Sequence, residues 1–314
     1  MPADLSARVG RLTLKNPVTT GSGCFGYGLE AAGVFDVGRL GALVLKTLTP
    51  KPRHGNPPPR IAETASGMLN AIGLENPGME AFLTEILPQV REFGCPLVAS
   101  VAGKDLEDYV SLVAALQVPG IRAIELNLSC PNLNSGGFDF GRDPAFVGEV
   151  TRRALKASPD RDLWIKLTPH VADIRVPAEA AWKAGAAALT VANTYVGMAI
   201  DWRKAVPRIA HRTGGLSGPA IKPLTLALVA KVAAESPIAV VASGGIASAE
   251  DAMEYACAGA AAVQVGTASF RDPAACLRMI GDLPACLKQA GLASWREGVG
   301  RLHKAAAPRP EETL

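Results

Sequence analysis

The sequence predicts an α/β fold in which eight parallel strands close into a (β/α)8 TIM barrel. Apolar runs of strand length recur along the 314 residues and alternate with segments of helical periodicity. The runs are apolar on both faces, which is typical of parallel strands covered by helices. One barrel suits this length, and a doubly wound open sheet is the main alternative. The strand segments are 16–23, 42–49, 96–103, 123–130, 163–169, 188–194, 238–245 and 262–269.

Helical segments separate these strands, and a short hairpin precedes them. LSARVG (5–10) and RLTLKN (11–16) are expected to pair and to close the bottom of the barrel. Two connections, 50–77 and 195–218, are too long for simple turns and would lie on the C-terminal face, where barrel active sites form. Helical patterns occupy residues 78–93, 104–117, 143–157, 173–185, 219–235 and 248–258.

Composition excludes several classes of protein. With 48% hydrophobic and 19% charged residues, a folded domain is expected over residues 1–304, with a flexible tail over 305–314. The net charge of +3 without a basic tract does not favour nucleic-acid binding. No apolar run has the length of a transmembrane helix and the start has no signal-peptide core, so a cytoplasmic location is expected. Six cysteines without a C-x-x-C pair and four dispersed histidines predict no metal site.

Polar or small residues end every predicted strand, and a barrel would gather them around one mouth. Two of them, Lys46 and Lys166, are costly to bury unless an anion or an electron-rich ligand meets them. Alternatively, they extend to solvent or pair with acids such as Glu125. The strand-end residues are Ser22, Lys46, Thr47, Ser100, Asn127, Lys166, Asn193, Thr194, Gly244, Gly245, Gly266 and Thr267.

Glycines after the last two strands predict a phosphate site. SGG (243–245) and VGTAS (265–269) end the seventh and eighth strands, the usual phosphate-binding position in these barrels. GSGCFG (21–26) also reads G-x-G-x-x-G, but the next strand ends in Lys46–Thr47 rather than in the acid of a nicotinamide site.

A phosphate site combined with inward lysines and amides suits flavin mononucleotide (FMN). Lys166 is the candidate for stabilising negative charge on the reduced ring. Paired amide donors and acceptors suit a planar heterocycle rich in carbonyl groups. The candidate amides are Asn70, Asn127, Asn132 and Asn193.

Cys130, in ELNLSCPN (125–132), is the candidate catalytic residue. It follows the fourth strand in a segment rich in Asn, Ser and Gly, where a thiolate could remove a carbon-bound proton while hydride passes to a flavin. Nearby positive charge would favour the thiolate. The alternative is an inert structural thiol, the interpretation that suits the other five cysteines.

Several motifs together resemble the dihydroorotate dehydrogenase family, in order and along nearly the whole chain. They are ETASGMLNAIGLENPG (63–78), ELNLSCPN, IKLTP (165–169), NT (193–194), GGLSGPAIKP (214–223), SGG and VGTAS. The loop GNPPPRIAETASGMLNAIGLENPG is similar to the class 1B, NAD-linked catalytic chains. The resemblance implies oxidation of (S)-dihydroorotate to orotate in pyrimidine biosynthesis, with Cys130 as the base that removes the C5 proton.

The resemblance also implies a set of ligand contacts. Ser100 stands where the family often has asparagine, so one flavin contact is expected to be lost or bridged by water. Ala192 replaces a larger aliphatic residue. FMN contacts are implied for Ser22, Lys46, Thr47, Ser100, Asn127, Lys166, Ala192, Gly218, Gly244, Gly245, Gly266 and Thr267. Substrate contacts are implied for Lys46, Asn70, Ala71, Ile72, Gly73, Leu74, Asn127, Asn132, Asn193 and Thr194.

Class 1B chains pass electrons to NAD+ through a separate subunit, so the resemblance implies a partner carrying FAD and a [2Fe–2S] cluster. The implied assembly is a heterotetramer of two catalytic and two electron-transfer chains. Three alternatives remain at this point: a fumarate-linked class 1A homodimer, a flavin enzyme acting on dihydropyrimidines, and a barrel that binds a phosphorylated ligand without redox chemistry.

Overall fold

The computed structural model describes residues 3–129 and 139–305, within which eight parallel strands form one sheet. Gly41 N donates to Val18 O at 2.9 Å, and the Thr20 hydroxyl bonds both polar backbone atoms of Val44, so the two end strands meet and close the barrel. This confirms the (β/α)8 class over the open sheet. The barrel strands are β3 (Val18–Thr20), β4 (Leu43–Val44), β7 (Leu97–Val101), β8 (Ile121–Asn127), β9 (Asp162–Lys166), β10 (Ala188–Val191), β15 (Ala239–Ser243) and β16 (Ala260–Val265).

The barrel strands are buried on both faces, which explains their continuous apolar sequences. In β9, Leu163, Trp164 and Ile165 are all fully buried, although successive side chains point to opposite sides of the sheet. One side packs inside the barrel and the other packs under the helices.

The predicted helices are present with shifted ends. A π-helical turn, Phe82–Ile86, interrupts the segment predicted as one helix over 78–93. Helix α10 was not predicted, and its interior contains Gly281 and Pro284, both poor helix formers. The helices are α1 (Leu29–Ala32), α2 (Gly78–Ala81), α3 (Leu87–Val90), α4 (Leu106–Ala115), α5 (Pro144–Ala157), α6 (Arg175–Lys183), α7 (Lys222–Ala233), α8 (Ala249–Cys257), α9 (Ala268–Arg271), α10 (Ala275–Gln289), α11 (Trp295–Gly298) and α12 (Arg301–Lys304). No helix in the described ranges combines the length and apolar character needed to cross a membrane.

The N-terminal hairpin closes the bottom of the barrel, as predicted. Strands β1 (Ala7–Val9) and β2 (Leu12–Leu14) pair antiparallel. Arg11 Nε lies 2.6 Å from Asp162 Oδ1, and the Arg11 backbone N–H donates to the same carboxylate. Because Asp162 begins β9, the hairpin lies at the end opposite the strand carboxyl ends.

The two long connections together form a second sheet, which we call the cover (residues 50–77 and 195–218). Its strands were not predicted, because they are short, most contain glycine, and the two connections pair with each other across distant sequence. Thr267 Oγ1 donates to Ser217 Oγ at 2.8 Å, which joins the cover to the carboxyl end of β16. The cover strands are β5 (Ile61–Thr64), β6 (Gly67–Asn70), β11 (Tyr195–Gly197) and β14 (Gly214–Ser217), with a separate pair β12 (Ile200–Asp201) and β13 (Val206–Pro207).

Candidate active site

The predicted site residues that are described lie at the carboxyl ends of the barrel strands and in the cover. The strand-end group is Ser22, Lys46, Thr47, Ser100, Asn127, Lys166, Ala192, Asn193, Thr194, Gly244, Gly245, Gly266 and Thr267. The cover group is Asn70, Ala71, Ile72, Gly73, Leu74 and Gly218. Cys130 and Asn132 lie outside the described residues, so their roles stay predictions.

Lys166 is a buried cation at the carboxyl ends of the barrel strands. It ends β9 and is 5% exposed. Its Nζ donates to Ser22 Oγ at 3.2 Å and lies 4.0 Å from Glu125 Oε1. Lys166 therefore does not extend to solvent, and it has an acidic neighbour inside the barrel, as the alternative interpretation of the sequence allowed.

Lys46 differs from Lys166. It follows β4, is half-buried, and has no side-chain hydrogen bond or ion pair with another described residue. Its backbone is fixed, since its N–H donates to Gly26 O at 2.9 Å. These contacts of the described residues are compatible with the predicted role of Lys46 as a ligand contact.

Two asparagines converge from strands β8 and β10. Asn193 Nδ2 contacts Asn127 Oδ1 at 3.4 Å and also donates to the Ser129 hydroxyl. Ser129 Oγ in turn donates to Asn127 Oδ1 at 3.1 Å. These bonds hold two amide groups side by side, which suits recognition of a flat polar ring.

Ser100 lies at the carboxyl end of β7, fully buried against Thr47. Their hydroxyl groups are 2.9 Å apart. A serine here pairs with its strand neighbour, which accounts for its burial without any ligand contact.

Two positions at strand ends, one after β15 and one after the cover strand β14, require glycine. Gly245 has φ +71°, and a Cβ added there would lie 2.7 Å from the backbone nitrogen of Lys222. Gly218 has φ +93°, and a Cβ there would lie 2.7 Å from the Cα of Gly67. Both glycines therefore adopt a conformation that other residues would strain, and turns of this kind can present backbone N–H groups to an anion.

The segment 70–74 is held by side chains of the cover. Asn56 Nδ2 donates to Ala71 O at 2.8 Å, and Asn56 N donates to Ile72 O at 2.9 Å. Buried Asn76 bonds Leu74 O at 2.7 Å and Thr49 Oγ1 at 2.8 Å. Asn70 itself donates to Gly215 O at 3.3 Å.

Sequence reasoning missed Asn56, Asn76, Ser129 and Gln264 as supports of the site. Asn56 and Asn76 hold the backbone of residues 71–74, and a neighbouring Gly or Pro is the signal that the sequence offers for such turn residues. Gln264 lies inside an apolar strand, where a buried amide is unusual and marks a polar network.

Cys24 has its thiol near Lys166, but it is a poor base. Burial raises the pKa of its thiol to about 11, although the charge of Lys166 acts in the opposite direction. At neutral pH this thiol is protonated, because only a small fraction ionises several pH units below the pKa.

We expect Gly245→Ala to reduce affinity for a phosphate-bearing ligand and to destabilise the chain by about 1–3 kcal/mol, because it combines strained φ with contact to the Lys222 backbone. Ligand titration and urea unfolding measure the two effects. The matched control is Gly94→Ala, where φ is +75° but no atom lies within 4 Å. Equal losses in both variants would contradict a role for the crowded strand end.

Fold and site define a class: a (β/α)8 barrel whose C-terminal face carries a buried lysine, paired amides and glycine turns under a cover. Residues 4–287 match the family model described as dihydroorotate dehydrogenase. The dihydroorotate dehydrogenase B (NAD(+)) catalytic subunit of Geobacillus kaustophilus is 46% identical over 306 residues, covering 96% of this chain and 97% of that protein. The protein of that name from Bacillus mycoides is 47% identical over 294 residues, covering 93% and 95%.

A solved structure agrees in fold. Dihydroorotate dehydrogenase of Eimeria tenella, in complex with ferulenol, gives a TM-score of 0.79 at 24% identity, covering 96% of this chain and 89% of that chain. The chain belongs to the dihydroorotate dehydrogenase family. This confirms the resemblance inferred from the motifs.

Proposed function

We propose that this chain is the catalytic subunit of an NAD-linked dihydroorotate dehydrogenase, which oxidises (S)-dihydroorotate to orotate in pyrimidine biosynthesis. The observation that carries the proposal is identity near 46% with relatives of that name over almost the whole of both chains. The proposal assigns the flavin and pyrimidine sites to one domain over residues 1–304.

The described residues fit FMN as the cofactor of this chain. Gly244, Gly245 and Gly218 have positive φ angles and pack closely against neighbouring protein atoms, which only glycine permits, and turns of this kind can present backbone N–H groups to a phosphate. A buried ammonium group near buried amides suits the polar edge of a flavin ring. The proposed FMN contacts are those implied by the resemblance, from Ser22 to Thr267.

The chain's own residues would bind the substrate and move one proton. Bound FMN supplies the acceptor for the hydride from C6. Asn127 and Asn193, held by Ser129, would orient the pyrimidine ring with the 70–74 segment, Asn132 and Thr194. Lys46 would contact both ligands, and the Cys130 sulfur would take the C5 proton, so that one proton and one hydride leave the substrate.

We propose that electrons leave through a partner subunit carrying FAD and [2Fe–2S], in a heterotetramer with two copies of each chain. The relatives named above are each called a catalytic subunit, which supports a partner. The cover also presents apolar side chains to solvent, with Trp202 74% exposed and Val196 61% exposed. Such a surface favours burial in an assembly.

Anaerobic mixing of the FMN-loaded chain with dihydroorotate tests the proposal. We expect loss of flavin absorbance near about 450 nm, a general property of flavin reduction. Dihydrouracil is the control, and it should not reduce the flavin because it lacks the C6 carboxylate. Steady turnover with fumarate would instead assign the chain to the fumarate-linked class, and absence of any bleaching by dihydroorotate would reject the proposed reaction.

A further inference from the structure

Glu125 is a fully buried carboxylate that the proposed mechanism does not use. It lies on β8 two residues before Asn127, so both side chains point to the same side of the strand. The register pairs Asn127 with Lys166 on β9, and Lys166 with Thr190 on β10. Glu125 therefore lies inside the barrel, one step below the mouth.

The two oxygens of Glu125 have different surroundings. Oε2 accepts from Thr190 Oγ1 at 2.8 Å and from Gln264 Nε2 at 2.7 Å. Oε1 has no hydrogen-bond partner among the described residues, and the cation near it is Lys166, with Nζ at 4.0 Å. Two neutral donors thus fix the carboxylate so that its free oxygen faces the ammonium group.

Folding stability alone does not account for this buried pair. Burying a charge pair incurs desolvation that apolar side chains of similar size would avoid. The long lysine side chain has four rotatable bonds, and burial alone does not fix where its charge lies. Glu125 below and Ser22 above, at 3.2 Å, together restrict the ammonium group to the space between them.

We propose that Glu125 is the positioning residue of Lys166: its carboxylate holds the ammonium group at the mouth, where the lysine sets the reduction potential of bound FMN. The proposal rests on the proposed function, because it needs FMN beside Lys166. Thr190 and Gln264 contribute by fixing the orientation of the Glu125 carboxylate.

The sign of the change in midpoint potential tests this in the FMN-loaded chain. Glu125→Gln keeps the shape and removes the charge. If Glu125 positions Lys166, the ammonium group in Glu125→Gln is no longer fixed beside the flavin. The midpoint potential of FMN then falls, because less positive charge stabilises the reduced ring. If Glu125 acts only through its own negative field, removing that charge raises the potential.

The same substitution is also tested in protein that lacks the lysine. In Lys166→Met protein, the additional Glu125→Gln change is expected to shift the potential much less, since the residue through which it acts is gone. The control is Glu63→Gln, an exposed carboxylate on the cover, which should leave the potential unchanged. A higher or unchanged potential in Glu125→Gln, or an equal shift in both backgrounds, would overturn the proposal. Failure of the unaltered chain to bind FMN or to be reduced by dihydroorotate would instead reject the proposed function.

Discussion

Cys130→Ala is expected to lower the rate of flavin reduction by dihydroorotate by about 10²–10⁴, the usual contribution of a positioned general base. The residue follows Ser129 in the sequence, and the Ser129 hydroxyl bonds Asn127, so the proposed base is joined in sequence to residues proposed to orient the ring. Cys24 is not expected to replace it, because burial raises the pKa of the Cys24 thiol to about 11. Stopped-flow absorbance under anaerobic conditions measures the rate.

The affinity for FMN should remain close to that of the unaltered chain, since Cys130 is not a proposed flavin contact. Cys257→Ala, a half-buried thiol on α8 in the outer layer, is the control and should reduce flavin at the normal rate. Unimpaired reduction by Cys130→Ala would show that the thiol does not remove the proton. If Cys130→Ala loses both FMN and its fold, Cys130→Ser is the smaller change with which the same comparison is made.

The barrel was predictable because its signal is local and repeated. Each strand is a short run that is apolar on both faces, and six of the eight runs are followed by a segment with a helical pattern before the next strand. The cover was not predictable in the same way. Its order β11-β14-β6-β5 pairs residues about 145 positions apart, such as Asn70 with Gly215, and no local pattern of a short glycine-rich strand specifies a distant partner.

The site was predictable where its chemistry is unusual for its position. A lysine or an asparagine at the end of an apolar strand is costly to bury without a partner, and this identified Lys166 and Asn127 as candidate site residues. Polar residues that only hold the backbone of a turn are not unusual for their position, so the sequence does not single them out. Asn76 looks like an ordinary turn residue before Pro77, and only the four hydrogen bonds of its side chain, to Thr49, Leu74 and Gly78, identify it as the anchor of the proposed substrate segment.

Lys166→Met is expected to weaken FMN binding and, separately, to destabilise the ligand-free chain. The stability loss should be about 3 kcal/mol, the lower end of the range for breaking a buried pair, because 4.0 Å is a long contact. Its cause is Glu125, which is fully buried and would lose its neighbouring cation. Urea unfolding of the ligand-free chain and titration with FMN measure the two effects, with exposed Lys156→Met on α5 as the control.

The double variant Lys166→Met with Glu125→Gln separates the two roles of the lysine. It leaves no buried charge at this point, so unfolding stability should return most of the way to that of the unaltered chain. FMN affinity should stay low, because the ammonium group proposed to face the flavin is still missing. Recovery of both properties would mean that Lys166 serves only to neutralise Glu125, and recovery of neither would mean that the methionine does not fit between β8 and β10.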